Sequence, residues 1–75
     1  MLTPINPHKA YVGQKVLLKF KKFFYTDTVT QIPANHNVTL MRFKKTGVIF
    51  FAKKVYLDSS EARTYLLLKK IKIES

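Results

Sequence analysis

Cysteine and tryptophan are absent from this chain of 75 residues, and glycine occurs only at Gly13 and Gly47. The missing thiols exclude disulfides, thiolate zinc sites and cysteine nucleophiles. Two isolated glycines do not build a phosphate-cradling loop. Acids are scarce as well: Asp27, Asp58, Glu61 and Glu74 lie scattered over turns and the C-terminal end. No two of them are spaced as a general acid and base, and turn or cap roles explain them more simply. His8 and His36 fall in expected loops without ligand-like spacing, so no metal is expected. Ser59, Ser60 and Ser75 lack the context of a nucleophile elbow. The chain therefore reads as non-enzymatic, with no cofactor.

Long hydrophobic runs are missing too. The best apolar run, residues 46–52, has seven residues without charge, far short of the roughly 20 that span a bilayer. Residues 1–8 lack the basic and apolar regions of a secretory signal. With no cysteine either, an intracellular, cytoplasmic location is the expectation. The Asn37-Val38-Thr39 triplet then matches a glycosylation acceptor by chance.

What is present is positive charge. Fourteen Lys and Arg stand against four Asp and Glu, for a net charge of +10. Part of the lysine count follows the usage of an AT-rich coding sequence, which also favours Phe, Ile, Asn and Tyr. The scarcity of acids is the better sign, because Asp and Glu are also encoded by AT-rich codons. Like charge packed into a small body repels itself, and an anionic partner relieves that. A chain this short buries only about 60% of the surface it exposes when unfolded, so outside help is expected.

Along the chain, Pro4 and Pro7 mark residues 1–10 as an extended arm that Leu2 and Ile5 could dock. Residues 15–25 follow Gly13 and read two ways. As a strand, Val16, Leu18, Phe20 and Phe24 share a face; as a helix, Val16, Phe20, Phe23 and Phe24 form a stripe. Aromatic content and the missing N-cap favour the strand. Residues 28–32 alternate enough for a short strand. Residues 38–43 and 48–57 flank Lys44-Lys45-Thr46-Gly47 and read as a β-hairpin, with Gly47 left-handed. In that register Met41 faces Phe51 and Phe43 faces Ile49. Asp58 and Glu61 suit an N-cap and its partner. A single helical turn near residues 60–63 then leads into a last strand with Lys/Ile alternation.

Four Lys-Lys doublets (Lys21-Lys22, Lys44-Lys45, Lys53-Lys54 and Lys69-Lys70) sit in or at the ends of these expected strands. Adjacent strand residues point to opposite faces, so one lysine of each doublet could join a shared surface. Phe23, Tyr25, Tyr56 and Tyr65 are their aromatic neighbours. Lysines that track phosphates and rings that stack on bases suit single-stranded nucleic acid. Any one doublet also suits the role of a charged guard on a strand edge. Only Arg42 and Arg63 are available to read guanine, so base discrimination should be limited. About six lysines on duplex phosphates would give a log–log salt slope near −5.

The expectation is an all-β domain over residues 11–75, a small antiparallel barrel of four to five strands, SH3-like or OB-like. Its core is Val16, Leu18, Phe20, Met41, Phe43, Ile49, Phe51, Val55, Leu66 and Leu68. The expected function is nucleic-acid binding, DNA or RNA, through Lys–phosphate contacts. The expected site is Lys19, Lys21, Lys22, Phe23, Tyr25, Arg42, Lys44, Lys45, Lys53, Lys54, Tyr56, Arg63, Lys69 and Lys70. The alternative is a protein-interaction module, an inhibitor or assembly subunit, that docks its basic and aromatic face on an acidic protein. Strands apolar on both faces suggest a homodimer or a partner covering the second face. A weaker reading makes residues 15–25 a basic amphipathic helix at an anionic membrane.

Overall fold

A computed structural model describes residues 1–32, 40–47, 49–51 and 54–74. The elements in chain order are β1 (Lys15–Phe20), β2 (Phe23–Gln31), β3 (Leu40–Phe43), β4 (Ile49–Phe51), β5 (Val55–Leu57), α1 (Ser60–Leu68) and β6 (Ile73–Glu74). The sheet runs β4-β3-β2-β1-β5, with β6 also beside β2. Among the described residues only the β2–β6 pairing is parallel. The chain is thus mostly β with one helix, but the expected barrel is an open sheet. The arm supplies a physical reason. Ile5 N–H donates to the Val55 carbonyl and Leu57 N–H to that of Thr3, each at 2.8 Å. The outer edge of β5 is satisfied by residues 3–5 and needs no closure against β4.

Residues 15–25 are neither one strand nor a helix. They turn back after Phe20, which pairs with Phe23 across the two-residue connection Lys21-Lys22. Lys21 adopts a left-handed φ of 45°. The amphipathic-helix reading of this segment falls with that geometry. Of the strand expected over residues 28–32, residues 28–31 form the C-terminal part of β2.

The second expected hairpin exists between β3 and β4, and Gly47 is left-handed at φ 65°. Its register is shifted by one residue from the expected one: Met41 pairs with Phe50, and Ile49 with Arg42. Its second strand is shorter than expected. β4 stops at Phe51, and Val55–Leu57 instead forms β5 against β1. Val38, Thr39, Val48 and Ala52 of that expected hairpin lie outside the described residues.

The helix is longer than one turn and the last strand shorter than expected. Ser59, not Asp58, is the N-cap, and its Oγ accepts from Ala62 N–H at 3.1 Å. Asp58 is free to hold Arg63 instead. Residues 69–71 close the helix. Lys70 N–H donates to the Leu67 carbonyl and Ile71 N–H to that of Leu66, with Lys70 at φ 60°. These two bonds satisfy carbonyls that the helix end would leave open. The Lys/Ile alternation is therefore mostly a helix cap and a loop, and only Ile73–Glu74 pairs as a strand.

β1 is apolar on both faces because it separates two cores. On one side Val16 and Leu18 pack with Ile5, Ala10, Val29, Met41, Phe43 and Val55. On the other, Leu17 and Phe24 pack with Ala62 and Leu66 of α1, and Leu2, Ile71 and Ile73 close the margin. Each large side chain so buried contributes about 1.5–3 kcal/mol. The second face, which suggested a partner, is covered by the chain's own helix. Of the expected core, Val16, Leu18, Met41, Phe43, Val55 and Leu66 are buried. Phe20 is half-buried against the first core. Leu68 is 77% exposed, on the outer face of the helix. Ile49 and Phe51 are placed in β4 by their backbone, and their side chains lie outside what is described.

Candidate nucleic-acid interface

The described lysine doublets occupy connections, not strand interiors. Lys21-Lys22 joins β1 to β2, Lys44-Lys45 opens the β3–β4 turn, and Lys69-Lys70 ends the helix. Strand alternation therefore does not sort them onto a common face. Lys54 stands just before β5, and Lys53 lies outside the described residues.

Three of the expected lysines do converge. Lys19 of β1, Lys21 of the turn and Lys54 line one open groove with Tyr56 of β5, with a volume of about 370 Å³. Pairing brings them together, because β1 holds β5 in the register Leu17–Tyr56 and Leu18–Val55. All three lysines are exposed and Tyr56 is half-buried. Phe24 meets the Tyr56 ring at 57° with centroids 5.9 Å apart. That contact is tilted, so it does not sandwich the tyrosine.

Beside the same turn, Phe20, Phe23 and Tyr25 form an edge-to-face cluster. The Tyr25 ring lies 5.2 Å from Phe20 and 5.0 Å from Phe23, at interplanar angles of 80° and 74°. Such rings hold one another in place and contribute about 0.5–1.5 kcal/mol per pair beyond their burial. Phe23 and Tyr25 are thus half-buried supports of the hairpin tip, and Lys22 is exposed at its turn.

Lys44 and Lys45 are held elsewhere, along the opposite edge of β2. Asp27, only 3% exposed, accepts there from Thr28 N–H at 2.7 Å, Lys45 N–H at 2.9 Å and Thr46 N–H at 3.2 Å. Lys45 Nζ donates to Thr26 Oγ1 at 3.2 Å. Arg42 is exposed on β3. Arg63 gives two N–H groups to Asp58, at 2.7 and 2.9 Å. Those hydrogen bonds hold the guanidinium above its usual pKa, so it stays charged and engaged. Lys69 Nζ sits 5.3 Å from the Tyr65 ring centre in a cation–π contact, and the Lys70 backbone closes the helix while its side chain is exposed. The fold thus brings Lys19, Lys21, Lys54 and Tyr56 of the expected site into one place and leaves Lys44, Lys45, Arg63, Lys69 and Lys70 in separate ones.

The buried role of Asp27 escaped the sequence reading, which gave it only to a turn. Its position opposite Val16 in a strand is the signal, since an acid on a core-facing position needs donors. Among the described residues no group of three metal-ligating side chains occurs, and no helix is long and apolar enough to cross a membrane. No protein-family model, curated protein or solved structure matches this chain.

Proposed function

We propose that this chain is a small, non-enzymatic nucleic-acid-binding protein that holds the backbone through Lys–phosphate contacts. One observation carries the reading. Among the described residues only two ion pairs form, Arg63–Asp58 and Lys72–Glu74, and Asp27 is given over to backbone amides. The described lysines are exposed, and all but Lys72 lack an ion pair among the described residues. A polyanion relieves that repulsion and gains by releasing counterions. With Arg63 engaged, Arg42 is the remaining arginine for base edges, which supports weak sequence discrimination.

The test is co-purification followed by titration. The absorbance ratio at 260 and 280 nm should fall after a high-salt wash, and affinity for an added oligonucleotide should drop steeply with salt. Tight retention on a neutral protein, with no nucleic acid bound at low salt, would sink the reading.

A second reading has its own observation. Leu67 and Leu68 are 75% and 77% exposed on α1, beside Lys69 and Lys70. An apolar helix flank rimmed by cations suits an acidic protein partner. On that reading, charge reversal at Lys69 and Lys70 weakens a protein complex, and no nucleic acid is bound.

A further inference from the structure

The groove beside the first hairpin has features that nucleic-acid binding alone does not require. Three cations from separate segments, Lys19, Lys21 and Lys54, line one groove with an aromatic ring, Tyr56, whose inner side packs on the second core. None of the three lysines takes part in an ion pair among the described residues. Lys21 also holds a left-handed backbone, which disfavours any side chain by roughly 1–2 kcal/mol. Strain of this kind clusters at binding sites, where the surrounding structure enforces it. The groove volume of about 370 Å³ is at the small end of ligand pockets, enough for one nucleotide unit.

We infer that this groove takes a single nucleotide of an unpaired strand, with its phosphate among Lys19, Lys21 and Lys54 and its base against Tyr56. The inference rests on the nucleic-acid reading above and narrows it to single strands. A duplex offers the same phosphates, but its bases are stacked on each other and present no face to a ring. An unpaired base has a free face, and base–aromatic stacking is tolerant of sequence. The absence of a bidentate arginine from the groove agrees with that tolerance.

A short fluorescein-labelled thymidine oligonucleotide and a duplex of equal length are the probes, read by anisotropy across a salt series. The single strand should bind about tenfold more tightly than the duplex. Tyr56→Leu should lose about tenfold in single-strand affinity and little for duplex, whereas Tyr56→Phe keeps the ring and the affinity. Lys19→Gln with Lys21→Gln and Lys54→Gln should flatten the single-strand log–log salt slope by about 2. These lysines are exposed, so the triple variant tests the groove even if Tyr56→Leu fails to fold. Equal binding of strand and duplex, unmoved by the groove variants, would overturn the groove and leave nucleic-acid binding standing. Thymidine monophosphate competing as well as the oligonucleotide would overturn the strand in favour of a small phosphate ligand. No binding of either probe by the unmodified chain would overturn both.

Discussion

Two lysine doublets sit in hairpin connections, and the two hairpins are built by different means. The β3–β4 turn is fastened from below. The buried Asp27 carboxylate gathers the Lys45 and Thr46 amides, Lys44 N–H donates to the Thr28 carbonyl at 3.0 Å, and Gly47 supplies the left-handed residue. Among the described residues, the β1–β2 turn differs in two of these devices. It has no carboxylate beneath it, no glycine, and a lysine in the left-handed position. Aromatic contacts on its flanks, Phe20 and Phe23 against Tyr25, hold it instead. The same dipeptide is thus a solvated cover over an anchored turn in one hairpin. In the other it is a strained feature beside an open groove. Lysine content alone does not separate these cases; the hydrogen bonds beneath each turn do.

Removing the anchor should have the largest effect. Asp27→Ala leaves three backbone donors without their acceptor and should lower unfolding free energy by about 3 kcal/mol. In a domain of this size that corresponds to a fall in melting temperature of roughly 15 °C. Asp27→Asn keeps one acceptor oxygen but turns a donor toward an amide, and should cost about half as much. Urea denaturation of both variants measures the difference. A loss below about 1 kcal/mol for Asp27→Ala would mean that solvent replaces the carboxylate and that the turn is not anchored. Gly47→Ala comes next. A Cβ there would meet nothing within 4 Å, so only the left-handed backbone opposes it. The expected cost is about 1 kcal/mol by the same denaturation measurement.

The two hairpins also differ in how readable they are. Gly47 follows Lys44-Lys45-Thr46 between two apolar runs, and that punctuation locates the β3–β4 turn from sequence alone. Its register is not readable to one residue, because Ile49, Phe50 and Phe51 are apolar throughout and do not mark which of them opposes each of the alternating Met41, Arg42 and Phe43. Lys21-Lys22 carries no turn signal, since the usual dipeptides contain Gly, Asn or Asp. The turn there is imposed by pairing and by the aromatic contacts on its flanks, which are tertiary facts. Leu17 falls outside the expected core for a related reason. Assigning one buried face to each strand hides a strand buried on both, and only the placement of α1 shows that two cores exist. The sequence predicts too short a helix because its cap and following loop, Lys69 to Lys72, imitate strand alternation. Of the candidate site, the types of residue were legible and their grouping was not. Lys19, Lys21 and Lys54 meet because β5 pairs with β1, and a continuous strand over residues 48–57 would have sent Lys54 elsewhere.

The smallest expected effect is also the sharpest comparison, because two neighbouring lysines differ in one respect. Lys21 is left-handed and lines the groove, whereas Lys22 is not among the residues with positive φ and does not line it. Lys21→Gly removes the Cβ penalty and should raise stability by about 0.5–1 kcal/mol. It also removes one phosphate contact, so the single-strand salt slope should flatten by about 0.7. Lys22→Gly removes the same charge from the same turn without relieving strain. It should lower stability by a few tenths of a kcal/mol through added chain entropy, roughly, and leave the groove's slope nearly unchanged. Thermal melts and the anisotropy salt series on the two variants read both quantities. If both variants shift the slope equally, the turn acts as diffuse charge and the groove has no claim on Lys21. If Lys21→Gly gains stability while losing affinity, a strained lysine is being kept at this turn for its ammonium group, and the unanchored hairpin is the one that meets the partner.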